Sequence, residues 1–281
     1  MTREPQLLTH LADIAPDYDA LICDIWGVLH NGATAHLAAC DALKLFRQKH
    51  GPVVLLSNAP RPAKDLEEQF RRFGVPSDCF DAIVTSGAAT RDDLARRAAT
   101  SKLAMLHLGP PRDRNVFEGL NVEPADIAHA KIVLCTGPYH DETETPDDYK
   151  DMLAELRARG LTMLCANPDL VVQRGGKLVY CAGALAQAYE KIGGAVVYYG
   201  KPHLPIYDAV RVELKGARRP LAIGDGLGTD IKGANAAGID ALFIADGIHG
   251  EDVSEFTGRH LAELFAKAAV HARAAMRTLV W

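Results

Sequence analysis

Nine short apolar runs punctuate the chain, at Leu21–Trp26, Val53–Asn58, Ala82–Ser86, Leu103–Gly109, Lys131–Gly137, Thr162–Asn167, Val196–Lys201, Leu221–Gly226 and Ala241–Gly247. They are nearly continuous in apolar character rather than alternating, the pattern of strands covered on both faces, as in parallel sheets. Between them lie stretches with helical spacing. Leu66, Phe70 and Phe73 fall at i, i+4, i+7, and Tyr149, Met152, Leu153 and Leu156 at i, i+3, i+4, i+7, so each stretch turns one apolar stripe to a core. Alternating strands and helices predict an α/β fold with a doubly wound sheet. The Ala-rich stretch from about Arg259 to Trp281 reads as one long helix.

Polar groups gather at the ends of particular runs. Asp24 lies within the first, Ser57 and Asn58 close the second, Lys201 closes one, and Asp225 ends another with Asp230 five residues on. In open α/β sheets, ligands bind beyond the carboxyl ends of the strands. These positions therefore form one candidate site if the strand order brings them together. The chemistry suits phosphoryl transfer. A carboxylate attacks phosphorus, but two anions repel, so cations must intervene. Lys201 supplies one, and Mg²⁺ on carboxylate oxygens from Asp24, Asp225 and Asp230 supplies another. Ser57 and the amide of Asn58 offer hydrogen bonds to the transferred group, and Gly27 permits close backbone approach.

These segments resemble the four motifs of the haloacid dehalogenase superfamily: Asp24 in DIWGV, Ser57 in VVLLSN, Lys201 in GKP, and Asp225 and Asp230 in GDGLGTD. The match extends over almost the whole chain. It is closer to the class IIA, NagD-like branch, which includes nitrophenylphosphatases, through DIWGVLHNG, SNAPRP, TSGAAT, CANPD, CAGALAQAYEKIGG, GKPHLPIY and GDGLGTDIKGANAAGID. The resemblance implies a Rossmann-like parallel-sheet core, residues 1–87 and 196–281, with an inserted α/β cap of the C2 type, residues 88–195. It implies a magnesium-dependent phosphomonoesterase acting through an aspartyl-phosphate on a small phosphorylated metabolite such as a sugar phosphate or nucleotide. Asp24 would be the nucleophile. The metal would be held by Asp24, the backbone carbonyl of Trp26 and Asp225, with Asp230 acting directly or through water. The cap would select the substrate through Asn167, Asp169 and neighbours in the loop to Lys177.

One position departs from that pattern. Phosphatases of the superfamily usually carry a second Asp two residues after the nucleophile, which protonates the leaving group and then activates water; Trp26 stands there. An indole N–H cannot give up a proton at useful pH. Three readings follow: a phosphatase with a substitute acid, for which His30 is the nearest candidate against its plainer role as a loop histidine; another reaction of the superfamily such as dehalogenation; or a phosphate-ligand-binding, regulatory protein with weak turnover. Dehalogenases have an aromatic residue at this position, but displacing halide needs no magnesium site, and Asp225 and Asp230 argue for one.

Composition narrows the classes further. With 281 residues, 48% hydrophobic and 24% charged, there is material for a sizeable core, and two domains are expected. A net charge of −5 without a basic stripe argues against nucleic acid as a partner. No window has the length of apolar residues a membrane span needs. Six cysteines without a C-x-x-C pair argue against a zinc knuckle and for a reducing, cytoplasmic setting. Cys23, Cys135 and Cys165 are expected to be buried, and Tyr198, Tyr199 and Tyr207 to be packing groups. The histidines show no metal-ligand spacing. A homo-oligomer is left open.

Overall fold

A computed structural model describes residues 4–174, 177–247, 253 and 255–281. The strands are β1 (Gln6–Leu7), β2 (Ala20–Asp24), β3 (Val53–Ser57), β4 (Ala82–Thr85), β5 (Leu103–Leu108), β6 (Val122–Pro124), β7 (Ile132–Cys135), β8 (Thr162–Cys165), β9 (Val171–Arg174), β10 (Lys177–Tyr180), β11 (Ala195–Tyr198), β12 (Pro220–Gly224), β13 (Asp240–Ile244) and β14 (Ala274–Met276). The α-helices are α1 (Leu37–Lys49), α2 (Ala63–Phe73), α3 (Ser86–Arg97), α4 (Lys150–Ala158), α5 (Ala182–Lys191), α6 (Leu204–Glu213), α7 (Lys232–Ala237) and α8 (Gly258–Lys267). Each of the nine apolar runs contains a strand.

The chain divides into two compact units. One comprises Met1–Ser57, Ala63–Val84 and Lys201–Trp281; the other comprises Asn58–Pro62 and Thr85–Gly200. The first holds a seven-stranded sheet in the order β1-β14-β13-β12-β2-β3-β4. In it β2 runs parallel to β12 on one side (Ile223 beside Cys23) and to β3 on the other (Asp24 beside Leu56). Ile22, Val54, Leu56 and Phe243 pack with Ile206, Tyr207 and Phe265 in its core. Residues 21, 23, 53 and 55 of the same strands are buried as well, so both faces are covered.

The second unit holds a parallel five-stranded sheet, β11-β8-β7-β5-β6, and a β9–β10 hairpin. Successive residues separate to its two faces, as the two-residue strand period requires. Leu106, Leu108, Val133 and Cys135 pack with Leu153, Leu185 and Tyr189. Met105, Ile132 and Leu134 pack with Leu94 and Val116. β11 pairs with β8, Ala195 beside Thr162, so residues 196–200 belong to this unit and not to the first, where the sequence places them.

Helix α2 spans the stretch whose stripe predicts it, with Leu66 and Phe70 buried. The C-terminal expectation is corrected. α8 ends at Lys267, Ala269 turns back with φ +54°, and residues 274–276 become β14. Local alanine preference loses to pairing here: β14 fills the gap between β13 and β1, and the small side chains of Ala274 and Ala275 are buried there. None of the six cysteines forms a disulfide and all are buried, including Cys23, Cys135 and Cys165. Tyr199 and Tyr207 are buried packing residues, and Tyr198 packs against the second unit's core. Among the described residues, no helix is long and apolar enough to cross a membrane.

Candidate active site

The order β12-β2-β3 sets the site. Three neighbouring strands end at the same edge of the sheet and deliver Asp225, Asp24 and Ser57 there. Asp230 returns to the same place on the single π-type turn Leu227–Ile231, and Lys201 enters just ahead of α6. All five are buried. The Lys201 ammonium donates to Asp24 Oδ1 at 2.5 Å, to Asp230 Oδ1 at 2.6 Å and to the Leu56 carbonyl at 3.3 Å.

Burial disfavours the charged form of Lys201, but the carboxylates of Asp230 and Asp24 outweigh it and hold the ammonium charged, well above its ordinary range. Burial, and then the charge of Asp230, push the Asp24 carboxyl well above its ordinary range against the pull of Lys201. Burial is the larger cause, and like charge from Asp230 and Asp225 adds to it. Ligand oxygens of Asp24, Asp225 and Asp230 lie within 4.8 Å of one another. Hard oxygen donors at that separation, with more negative charge than Lys201 balances, fit a divalent cation.

Glycines make the packing around these carboxylates possible. Gly27 has φ +77°, and a Cβ there would lie 1.9 Å from Asp225 Oδ2; one on Gly247 would lie 2.1 Å from the same oxygen. Gly226 donates its N–H to Asp230 Oδ2 at 3.0 Å, so Asp230 is gripped through both oxygens. Gly247 and Gly226 escape the sequence reading, as does Thr229, whose hydroxyl donates to Asp230 Oδ2 at 3.4 Å. The spacing in GDGLGTD was available as a signal for Gly226, whereas nothing local marks Gly247.

The loop after Asp24 explains Trp26 and His30. The His30 carbonyl accepts from the Gly27 N–H at 3.0 Å, and its Nδ1 accepts from the Gly32 N–H at 3.1 Å. Phe73 and Phe70 surround the ring edge-on, at 5.0 and 6.0 Å between centroids. Burial holds its pKa down to about 4. His30 is therefore a neutral loop-packing residue, 1% exposed, and not a substitute acid. Trp26 is 47% exposed, with its ring edge-on to His30.

The other expected site residues form a separate group in the second unit. Asn58 Nδ2 donates to Asp169 Oδ1 at 2.8 Å, and the Asp169 N–H donates to Asn167 Oδ1 at 3.0 Å. Of the loop running on to Lys177, residues 175–176 lie outside the described residues. Asn58 follows Ser57 directly in the chain. In the same unit Arg61 pairs at 3.4 Å with Asp113, a buried carboxyl that burial raises above its usual range. Nothing at sequence level joins those two, 52 positions apart.

Residues 21–123 match the family model for haloacid dehalogenase-like hydrolases, and residues 198–268 match a second, HAD-hydrolase-like model. The chain is 39% identical to a hydrolase of the haloacid dehalogenase-like family from Brucella suis 1330, covering 98% of this chain and 100% of that one, with a TM-score of 0.84. It is 29% identical over 238 residues to the ribonucleotide monophosphatase NagD of Escherichia coli K12, covering 83% of this chain and 89% of the relative. The 4-nitrophenylphosphatase of Thermotoga maritima shares the fold, with a TM-score of 0.72 at 22% identity, over 94% of this chain and 96% of that one.

Proposed function

Because the chain belongs to the haloacid dehalogenase-like hydrolases, in their class IIA, NagD-like branch, we propose that it is a magnesium-dependent phosphomonoesterase acting on a small phosphorylated metabolite. The carrying observation is the buried cluster in which Asp24 ends β2 within reach of Lys201, Asp225 and Asp230.

In this reading an Asp24 oxygen attacks phosphorus, the bond to the leaving oxygen breaks, and water then cleaves the aspartyl-phosphate. Asp24, Asp225, the Trp26 carbonyl and, directly or through water, Asp230 would hold Mg²⁺, which would neutralise charge and orient the phosphoryl group. Lys201, bonded to Asp24 and Asp230, balances charge, and Ser57 with the Asn58 amide would accommodate the phosphoryl oxygens. The second unit, as a cap, selects the leaving group through Asn167 and Asp169. Six buried cysteines without a disulfide agree with a reducing cytoplasmic setting.

Trp26 supports a second reading, in which the protein binds a phosphate ligand and turns it over weakly. Phosphate release from p-nitrophenyl phosphate, sugar phosphates, nucleotides, pyridoxal phosphate and phosphoglycolate, with and without Mg²⁺, decides between them. The phosphatase reading expects magnesium-dependent release that Asp24→Asn abolishes. No release by folded protein that binds Mg²⁺ leaves the binding role.

A further inference from the structure

Trp26 occupies an unusual place for a large apolar ring. On one side of it in the chain stands Asp24, two residues away and so no more than about 7 Å between Cα atoms. On the other is Gly27, whose α-carbon lies against the Asp225 carboxylate. The backbone of Trp26 is thus bracketed by two members of the carboxylate cluster, while the residue is 47% exposed, against 9% for Asp24 and 4% for Asp225.

The ring is also held. A Cβ on Gly32 would lie 2.5 Å from Trp26 Cη2 and 2.7 Å from Cζ3, so the benzenoid end of the indole rests on a residue where no side chain fits. Gly32 itself has φ +88°, and its N–H is tied to His30 Nδ1. The His30 ring meets the indole at 74° with centroids 5.1 Å apart. A tryptophan fixed in this way loses little conformational freedom when a ligand covers it. Its remaining surface is flat, apolar and π-rich, and favours stacking by another aromatic ring.

We propose that the Trp26 indole is a specificity-determining platform that selects phosphate monoesters whose alcohol carries a flat aromatic ring. This rests on the phosphatase reading and names its substrate class. Two independent consequences of one residue converge on it. The indole gives the leaving group a surface to stack on. It also removes the carboxyl that would protonate a departing alkoxide, which disfavours poor leaving groups and spares phenol-like ones.

Benzyl phosphate and cyclohexylmethyl phosphate separate stacking from leaving-group acidity, because both release unactivated primary alcohols of similar size. Wild type is expected to favour the benzyl ester by about three- to ten-fold in KM. Trp26→Leu brings the ratio to about one, and Trp26→Phe restores most of it. A ratio equal in wild type and Trp26→Leu overturns the platform while leaving the phosphatase reading intact. Absence of release from either ester and from p-nitrophenyl phosphate sinks that reading instead, and binding then decides the platform. Trp26 is one of two tryptophans, so Trp281→Phe isolates its fluorescence. Benzylphosphonate should quench or shift that emission at concentrations where cyclohexylmethylphosphonate does not; equal responses overturn the platform.

Discussion

Replacing Lys201 with Met removes the ammonium and keeps most of the side-chain volume. Lys201 is 3% exposed and lies within 2.6 Å of carboxylates on both Asp24 and Asp230. Breaking a buried ion pair by deleting one partner costs about 3–5 kcal/mol, because the remaining charge stays buried. Here two carboxylates lose a partner, which points to the upper part of that range whenever both stay ionised. They need not, since Asp24 is already held well above its ordinary value. Without Lys201 it rises further and takes up a proton more readily. A carboxyl whose folded pKa exceeds its unfolded one adds stability below the unfolded value, and that stability is lost as pH rises through the folded value. The gap between wild type and variant should therefore widen from pH 5 to pH 8. Urea unfolding in EDTA at both pH values measures it, and Mg²⁺ at a hundred times the variant's dissociation constant should stabilise the variant at pH 8 by about 3 kcal/mol. Equal midpoints at pH 8 without metal, or a gap that ignores pH, would refute the charge balance assigned to the cluster.

Trp26→Asp should raise kcat about 100-fold on alkyl phosphates, the lower end of what general acid–base catalysis supplies, because the new carboxyl lacks a tuned pKa; an unchanged or lower kcat shows that Trp26 does more than vacate the acid position. Gly27→Ala combines about 1–2 kcal/mol of left-handed strain with a Cβ 1.9 Å from Asp225 Oδ2. Titration calorimetry should show Mg²⁺ affinity at least about ten-fold weaker, and wild-type affinity contradicts the role given to Asp225. His30, with its pKa lowered to about 4, favours the folded state while neutral. Its contribution of about 3 kcal/mol is present above pH 6.5 and lost as pH falls toward 4. His30→Gln should flatten the acid limb of stability in urea melts between pH 7 and 4.5 and keep kcat at pH 7 within about three-fold; a collapse of kcat in folded protein returns His30 to the reaction.

The legible parts of this molecule are those where one local rule decides. Runs such as Val53–Ser57 and Ile132–Cys135 are apolar on both sides of the strand because both faces are covered, and that reads directly from the chain. Asp24, Ser57, Lys201, Asp225 and Asp230 stand out because each ends or follows such a run, and the strand order does bring them together. Where long-range pairing overrides local preference, the reading fails. Ala274–Met276 is alanine-rich yet becomes a strand because β13 needs a neighbour, and β11 belongs to the second sheet because β8 supplies its partner. His30 is silent for a different reason: its role depends on phenylalanines in α2, about 40 residues on.

The register of β2 also fixes an order of events. Leu21 pairs with Val53 on one side, but its other partner is Leu221, 200 positions later. At synthesis rates of about 5–20 residues per second, roughly 10–40 s pass between the two on the ribosome. Throughout that interval the strand carrying Asp24 has one apolar edge without its native neighbour, while residues 85–200 emerge and can complete their own sheet. A free strand edge is a template for wrong pairing. The strand carrying Asp24 is thus a long-lived exposure of the nascent chain to misassembly, and codons that slow translation between Gly200 and Gly224 would prolong it.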